Sequence, residues 1–337
     1  MNLQFLIILE ILFISIFFYL VIFKYKKKIA LYLKTIDYPL QTRKIHKYPT
    51  PKTGSYALAI TFLLILINNL VFNLFSKDFN IIIFSSLIIF IIGLADDKVN
   101  LNPYIKIFLI SIIVIFSIEI SPNILITKFY LATFDTFVNL NEFSRIFTIL
   151  CILLLINAFN LLDGINGLAI GAILFWLIYI LYLYPTDFDI YIYIILLVLF
   201  LSFIHNYSGK HFLGDSGSLM ISSFLSFYLI KSINYHIDDP SYFRSSEMLF
   251  TLFMIPGIDM FRLFIERIIN KKNPFSADRN HLHHLVIKKN SLKTTLVIYF
   301  FLINIPIFLI IFFKIEFIYI ISTTIIVYFL VINFCKK

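Results

Sequence analysis

An all-α polytopic integral membrane protein with about eleven transmembrane helices is the fold this chain predicts, on three observations. Of its 337 residues 60% are hydrophobic and only 14% charged, against roughly 25% charged in a soluble domain. Mean hydropathy is +0.93. The apolar residues fall into separate runs, most of them near the ~20 residues that cross ~30 Å of hydrocarbon.

The runs are 3–23, 55–75, 79–95, 104–120, 143–159, 168–184, 190–206, 217–235, 247–265, 294–313 and 315–334. No basic stretch precedes the first and no small-residue cleavage site follows it, so it reads as an uncleaved span. Alternating loops divide the 28 Lys and Arg residues into 22 on one side and 6 on the other, the six being Lys77, Lys128, Arg145, Lys231, Arg244 and Lys314. Positive-inside bias makes the richer side cytoplasmic. The N-terminus is then outside, the C-terminus inside, and residues 1–337 form one integral domain with cytoplasmic loops about 24–54, 96–103, 160–167, 207–216 and 266–293. The formal charge of +9 is spread over those loops, which argues against nucleic acid as a partner. Partial alternation in TKFYLATFDTFV predicts a small hairpin in the outer segment 121–142. Pro256 and Pro306 are expected to bend their spans. Cys151 and Cys335 lie in spans and imply no disulfide framework. Glu10 lies inside the first span, where an acid is a functional candidate; a protonated side chain against a neighbouring helix is the expectation.

Four polar motifs break the apolar pattern at span ends, all on the positive side: GLADDKVNLNPYIK (93–106), NAFNLLDGINGLA (157–169), HFLGDSGS (211–218) and PFSADRNHLHH (274–284). The adjacent carboxylates of Asp96 and Asp97 repel, and a nearby cation keeps both ionised. That suits a hard divalent ion shared with substrate phosphates; a solvated helix cap is the alternative. Lys106, one loop later, is in reach of a phosphate. Asn157, Asn160 and Asp163 recur every third residue and so stack on one helical face. Gly164 and Gly167 let the backbone approach a ligand. The small-residue loop around Asp215 leads into a helix N-terminus that favours anions, whereas Asp215 favours a cation; a metal–phosphate pair reconciles the two, and an ordinary N-cap remains open. His281, His283 and His284 suggest zinc at first sight. With no cysteine nearby and carboxylates as the other candidate ligands, hydrogen-bond and charge roles towards phosphate, shared with Arg279, fit better. Arg43, Lys44 and His46 lie in DYPLQTRKIHKYPTPKTG (37–54), a basic loop at headgroup depth suited to a lipid phosphate. Asp259, Arg262 and Glu266 share one face at the inner end of the ninth span; they either pair with one another or act as interfacial anchors.

Together these motifs, with IPGIDMFR, resemble over about residues 20–335 the polyprenyl-phosphate N-acetylhexosamine-1-phosphate transferases. PFSADRN before HLHH is similar to the WecA/TagO-type branch rather than the MraY-type, whose three-histidine run precedes Phe-Glu. Two positions depart from the family pattern: its usual DGxDG reads Asp163-Gly164-Ile165-Asn166-Gly167, and its usual paired glycine reads Gly54-Ser55.

The resemblance implies transfer of a sugar-1-phosphate from a UDP-N-acetylhexosamine, GlcNAc or a derivative, to undecaprenyl phosphate. UMP is released, and the transfer initiates a cell-surface glycan at the cytoplasmic face of the bacterial inner membrane. It implies Mg²⁺ or Mn²⁺, with Asp215 a metal ligand and Asp96 and Asp97 metal ligands or catalytic acids. Asp163 corresponds to an essential acid, and His281, His283 and His284 to a phosphate-binding or catalytic motif. Membrane lipid is the surrounding partner, and a homodimer is compatible with the sequence. The alternatives are a phospho-N-acetylmuramoyl-pentapeptide transferase-type enzyme and, in another class, a transporter, which would keep charges near the midplane and show repeated halves.

Overall fold

The computed structural model describes residues 3–39, 48–74, 76–236, 246–274 and 278–336. The chain is almost entirely helical and reads as a multi-pass membrane protein. Nine helices among the described residues are long and apolar enough to cross a membrane. Two further apolar helices, Tyr56–Phe72 and Leu168–Leu183, are shorter. The contacts divide the chain into two compact units, Met1–Ile126 with Arg145–Asp238, and Thr127–Ser144 with Asp239–Lys337.

The first unit holds α1 (Leu3–Leu33), α2 (Tyr56–Phe72), α3 (Lys77–Val99), α4 (Pro103–Ile120), nearly all of α5 (Ser144–Leu162), α6 (Leu168–Leu183), α7 (Asp189–Tyr207) and α8 (Gly214–Tyr235). A two-residue antiparallel pairing joins β1 (Ile36–Asp37) to β2 (Thr50–Pro51). Helix α8 is the centre of this unit, buried on nearly all sides, and α3 is its most extensive partner. The reason is composition: without a hydrophobic drive between helices in lipid, small residues let backbones approach and gain dispersion contacts. At Gly93 a Cβ would lie 2.5 Å from Ser216 Cα, and at Gly217 one would lie 2.6 Å from Ser55 Cβ. The buried serines of α8 satisfy themselves, Ser222 and Ser226 donating to the carbonyls of Ser218 and Ser222. At the opposite end of this helix pair, Lys231 of α8 bonds Asp78 of α3 at 2.6 Å, and Asp78 also accepts from Ser121 and Asn123.

The second unit holds the hairpin β3 (Lys128–Leu131) and β4 (Thr136–Asn139), with α9 (Ser246–Ile269), α10 (Leu282–Lys289), α11 (Leu292–Phe313) and α12 (Phe317–Lys336). The hairpin expected in TKFYLATFDTFV thus forms, with Leu131 opposite Thr136. Pro256 and Pro306 fall inside α9 and α11. One expectation needs correction: Glu10 is exposed on α1 rather than buried between helices.

Candidate active site

Four of the sequence-predicted acids gather in the first unit, around the junction of α3 and α8. Helix α3 ends at Asn100, which takes a left-handed φ of 49° as C-cap. The last turn therefore presents Asp96 and Asp97 side by side, and they part company at once. Asp96 accepts from the Leu101 amide at 2.7 Å and from Lys106 Nζ at 2.8 Å. Asn102 caps α4 by accepting from the Tyr104 amide, and Pro103 starts the helix, which fixes Lys106 one turn in. Asp97 turns to α8 and accepts from the amides of Asp215 and Ser216 and from Lys52 Nζ.

Asp215 is the open member, its side chain 32% exposed. One oxygen accepts from Asn160 Nδ2 at 3.0 Å and lies 3.7 Å from Lys106 Nζ. Asn160 also donates to Ser218 Oγ at 2.7 Å, so the last turn of α5 is tied directly to the first turn of α8. Asp163 lies just past the end of α5, its amide held by the Asn160 carbonyl at 3.2 Å, so it continues the Asn160 face without being helical. Burial first, then repulsion from Asp215 and Asp97, pushes the Asp163 carboxyl well above the usual carboxylate range; Lys52 and the Gly214 amide oppose this only in part. Burial works against the Lys52 charge, yet Asp97 and then Asp215 raise its affinity for a proton above the ordinary lysine value.

Sequence reasoning assigns no role to three residues that matter here. Lys52 was read only as part of a basic loop; its signal was its place between Pro51 and Gly54, a turn that pairs with 211–213 through Gly54 N–H to Phe212 O and Phe212 N–H to Pro51 O, both 2.9 Å. Asn206 accepts from the Gly167 amide and donates to the His211 carbonyl, pinning the glycine loop to the segment before α8. Ser55, the departure from the paired glycine, bonds Ser216 Oγ at 3.1 Å. Asn157, in contrast, joins none of these contacts, being one turn short of the cluster. Arg43, Lys44 and His46 lie outside the described residues.

The second unit carries its own polar centre. Asp259 accepts from His281 Nδ1 (2.9 Å), Arg262 (2.9 Å), Tyr328 OH (2.7 Å) and the Leu282 amide (3.1 Å). Arg262 also reaches Glu266 at 3.1 Å, so the shared face on α9 is a set of pairs, while Arg267 pairs with Asp278. A histidine held at Nδ1 by a carboxylate is fixed in ring orientation with its other nitrogen turned outward. His283 is fully buried and neither ring nitrogen has a hydrogen-bond partner. Burial, then the neighbouring histidines, holds His283 well below the ordinary imidazole value, and the same causes with Arg279 bring His284 to about 4.

No group of three or more His, Cys, Asp or Glu residues converges as a ready metal cage among the described residues. The donor set nevertheless suits a magnesium-type ion, which is normally held by one or two carboxylates with substrate phosphates and water completing the shell. Asp215 has an exposed carboxylate, and Asp163 sits in an excess of negative charge that a divalent cation would relieve. Asp97 has no such capacity, and Asp96 is engaged by Lys106.

A family model for glycosyl transferase family 4 matches residues 79–233, which takes in α3 to α8 and the whole aspartate cluster. This central region of the chain is similar to glycosyl transferase family 4. A Bacillus subtilis protein named "Probable undecaprenyl-phosphate N-acetylglucosaminyl 1-phosphate transferase" is 27% identical, over 80% of this chain and 75% of its own length. A Thermotoga maritima protein named undecaprenyl-phosphate alpha-N-acetylglucosaminyl 1-phosphate transferase is 28% identical, over 78% of this chain and 76% of its own. A Yersinia pestis protein of the same name is 25% identical, over 78% and 72%. Asn166, where the family acid would stand, keeps its amide beside Gly209, 3.3 Å from where a Cβ would be.

Proposed function

We propose that this chain transfers N-acetylglucosamine-1-phosphate from UDP-N-acetylglucosamine to undecaprenyl phosphate and releases UMP, starting a glycan on its lipid carrier. The convergence of Asp96, Asp163 and Asp215 with Lys106 at one end of an apolar bundle carries this reading, and the relatives' names support the acceptor and the sugar. We assign the cluster to the cytoplasmic face of a bacterial inner membrane, because the basic loops lie on that side and nucleotide sugars are cytosolic.

The chemistry is in-line phosphoryl transfer. An oxygen of the lipid phosphate attacks the phosphorus bearing the sugar, the bond from that phosphorus to the UMP oxygen breaks, and UMP leaves with the electron pair. A phosphomonoester is largely dianionic at neutral pH, since its second pKa is about 6. The protein's task is alignment and charge neutralisation more than proton removal. Lys106, held by Asp96 and 3.7 Å from Asp215, is the cation we assign to a substrate phosphate. Asn160 orients Asp215, and the carboxylates of Asp215 and Asp163 would hold Mg²⁺ or Mn²⁺, which supplies charge neutralisation on the pyrophosphate when bound. A ring N–H on His283 or His284, each with a nitrogen that has no hydrogen-bond partner, is a donor of the kind phosphate oxygens accept.

The decisive experiment gives purified protein undecaprenyl phosphate and a panel of UDP-sugars, scoring UMP and lipid-linked product with EDTA and with added Mg²⁺. UDP-N-acetylglucosamine should turn over best, chelation should stop it and Mg²⁺ restore it. Turnover that ignores EDTA contradicts the metal assignment. A preference for a muramoyl-pentapeptide donor, or no transfer at all, removes the proposed activity.

A further inference from the structure

Helix α8 begins without a cap of its own. The residue at its N-cap position is Leu213, which has no side-chain acceptor to offer. The leading amides of any helix lack partners within it, and here two of them, from Asp215 and Ser216, are buried against α3. Both donate to Asp97, at 3.0 Å to Oδ1 and 3.0 Å to Oδ2 respectively. Lys52 Nζ adds a third donor at 2.9 Å to Oδ1, and the Asp97 side chain is 0% exposed. Gly214, at φ +77°, presses on the same carboxylate: a Cβ there would sit 2.7 Å from Oδ2 and 3.2 Å from Oδ1. A carboxylate accepts at about four lone-pair positions. Three are taken by donors, and the close approach of Gly214 leaves no open face. Asp96 differs in kind, facing Lys106 and the Leu101 amide.

We infer that Asp97 is a positioning residue: it is the N-cap of α8, supplied by another helix, and it aims Asp215 without touching substrate or ligating metal. Lys52 offsets the charge that this buried cap requires, and its backbone N–H is fixed by donating a hydrogen bond to the Thr35 carbonyl at 2.9 Å. Two adjacent acids therefore do different jobs. The kinetic part of this inference rests on the transferase reading; the capping part does not.

The test replaces Asp97 with Asn, Ser or Ala in the full chain in lipid nanodiscs. Asn keeps one oxygen that can accept from an α8 amide, Ser is too short to reach across from α3, and Ala has no acceptor; losing a cap costs about 0.5–2 kcal/mol, a factor of about 2–30. Hydrogen exchange at the Asp215 and Ser216 amides should rise by about that factor in the Ala and Ser variants and by less in Asn. Turnover should follow the same order, with the donor KM unchanged and the Ala variant down by about 100-fold through misplacement of Asp215. Asn, Ser and Ala variants equally inactive, with amide exchange at the wild-type level, would overturn the inference in favour of a direct chemical role. If the Ala variant does not fold, Asn decides alone: measurable turnover at unchanged KM supports the cap, and activity no higher than Asp215→Asn refutes it. If the wild type itself shows no turnover, the transferase reading fails and exchange still decides the cap.

Discussion

Replacing Gly93 with alanine probes the packing on which the whole aspartate cluster depends. A Cβ at this position would lie 2.5 Å from Ser216 Cα, 2.6 Å from Asp215 O and 2.8 Å from Asp215 C. All three are backbone atoms, so no side-chain rotation relieves the clash. An ordinary carbon contact of about 3.5 Å requires the two helices to separate by about 1 Å. That stretches the 3.0 Å bonds from the α8 amides to Asp97 to about 4 Å, beyond hydrogen-bond range. Each bond to a charged acceptor contributes about 1.5–3 kcal/mol, and overpacking costs about 1–3 kcal/mol. Because the helices can share the strain by sliding, a loss of about 2–5 kcal/mol is expected rather than the full sum. Turnover should fall by about 100-fold, the usual effect of a 1 Å misplacement. Thermal unfolding followed by Trp176 fluorescence, together with UMP release, measures both. Gly257→Ala in α9 is the control, because nothing lies within 4 Å of its Cβ position and alanine favours a helix by about 1 kcal/mol. A Gly93→Ala protein as stable and active as the Gly257→Ala protein would refute the close α3–α8 approach.

Three further outcomes are expected. Lys231→Met leaves Asp78 with Ser121 and Asn123 as its partners among the described residues, so stability should drop by about 3 kcal/mol, the lower end for breaking a buried pair; Asp78→Asn in the same chain should recover most of it, and a simple sum of two losses would count against the pair. Asp163 has a folded-state pKa above its unfolded value, so the stability it contributes is full below about pH 4 and is lost as pH rises through the folded value. In EDTA, Asp163→Asn should therefore raise Tm more at pH 8 than at pH 5, while abolishing turnover; a pH-independent difference contradicts the crowded carboxylates. With Cys151 and Cys335 removed, Phe134→Cys in the exposed hairpin should react with an impermeant maleimide from outside, and Tyr48→Cys only after permeabilisation; the reverse pattern inverts the topology.

The sequence alone was sufficient for the membrane class, because hydrocarbon demands long apolar helices and that demand is written in composition and run length. It also named the acids that meet, since Asp96, Asp97, Asp163 and Asp215 each interrupt an apolar pattern at a span end. The short hairpin was legible for the same local reason, an alternating stretch between spans. What it could not supply was direction. Asp96 and Asp97 are neighbours in the chain, yet one faces Lys106 and the other caps α8, and only the approach of α3 to α8 across Gly93 decides that. Lys52 is one lysine of eight between residues 24 and 54, and nothing local separates it from the other seven. Asn157 has the right spacing but stands one turn from the cluster, which is a matter of how far α5 extends. Partners far apart in the chain, such as Asp97 with Ser216 at 119 residues and Asn206 with Gly167 at 39, are chosen by helix packing. Local periodicity encodes which face a residue is on, and the packed bundle decides what that face meets.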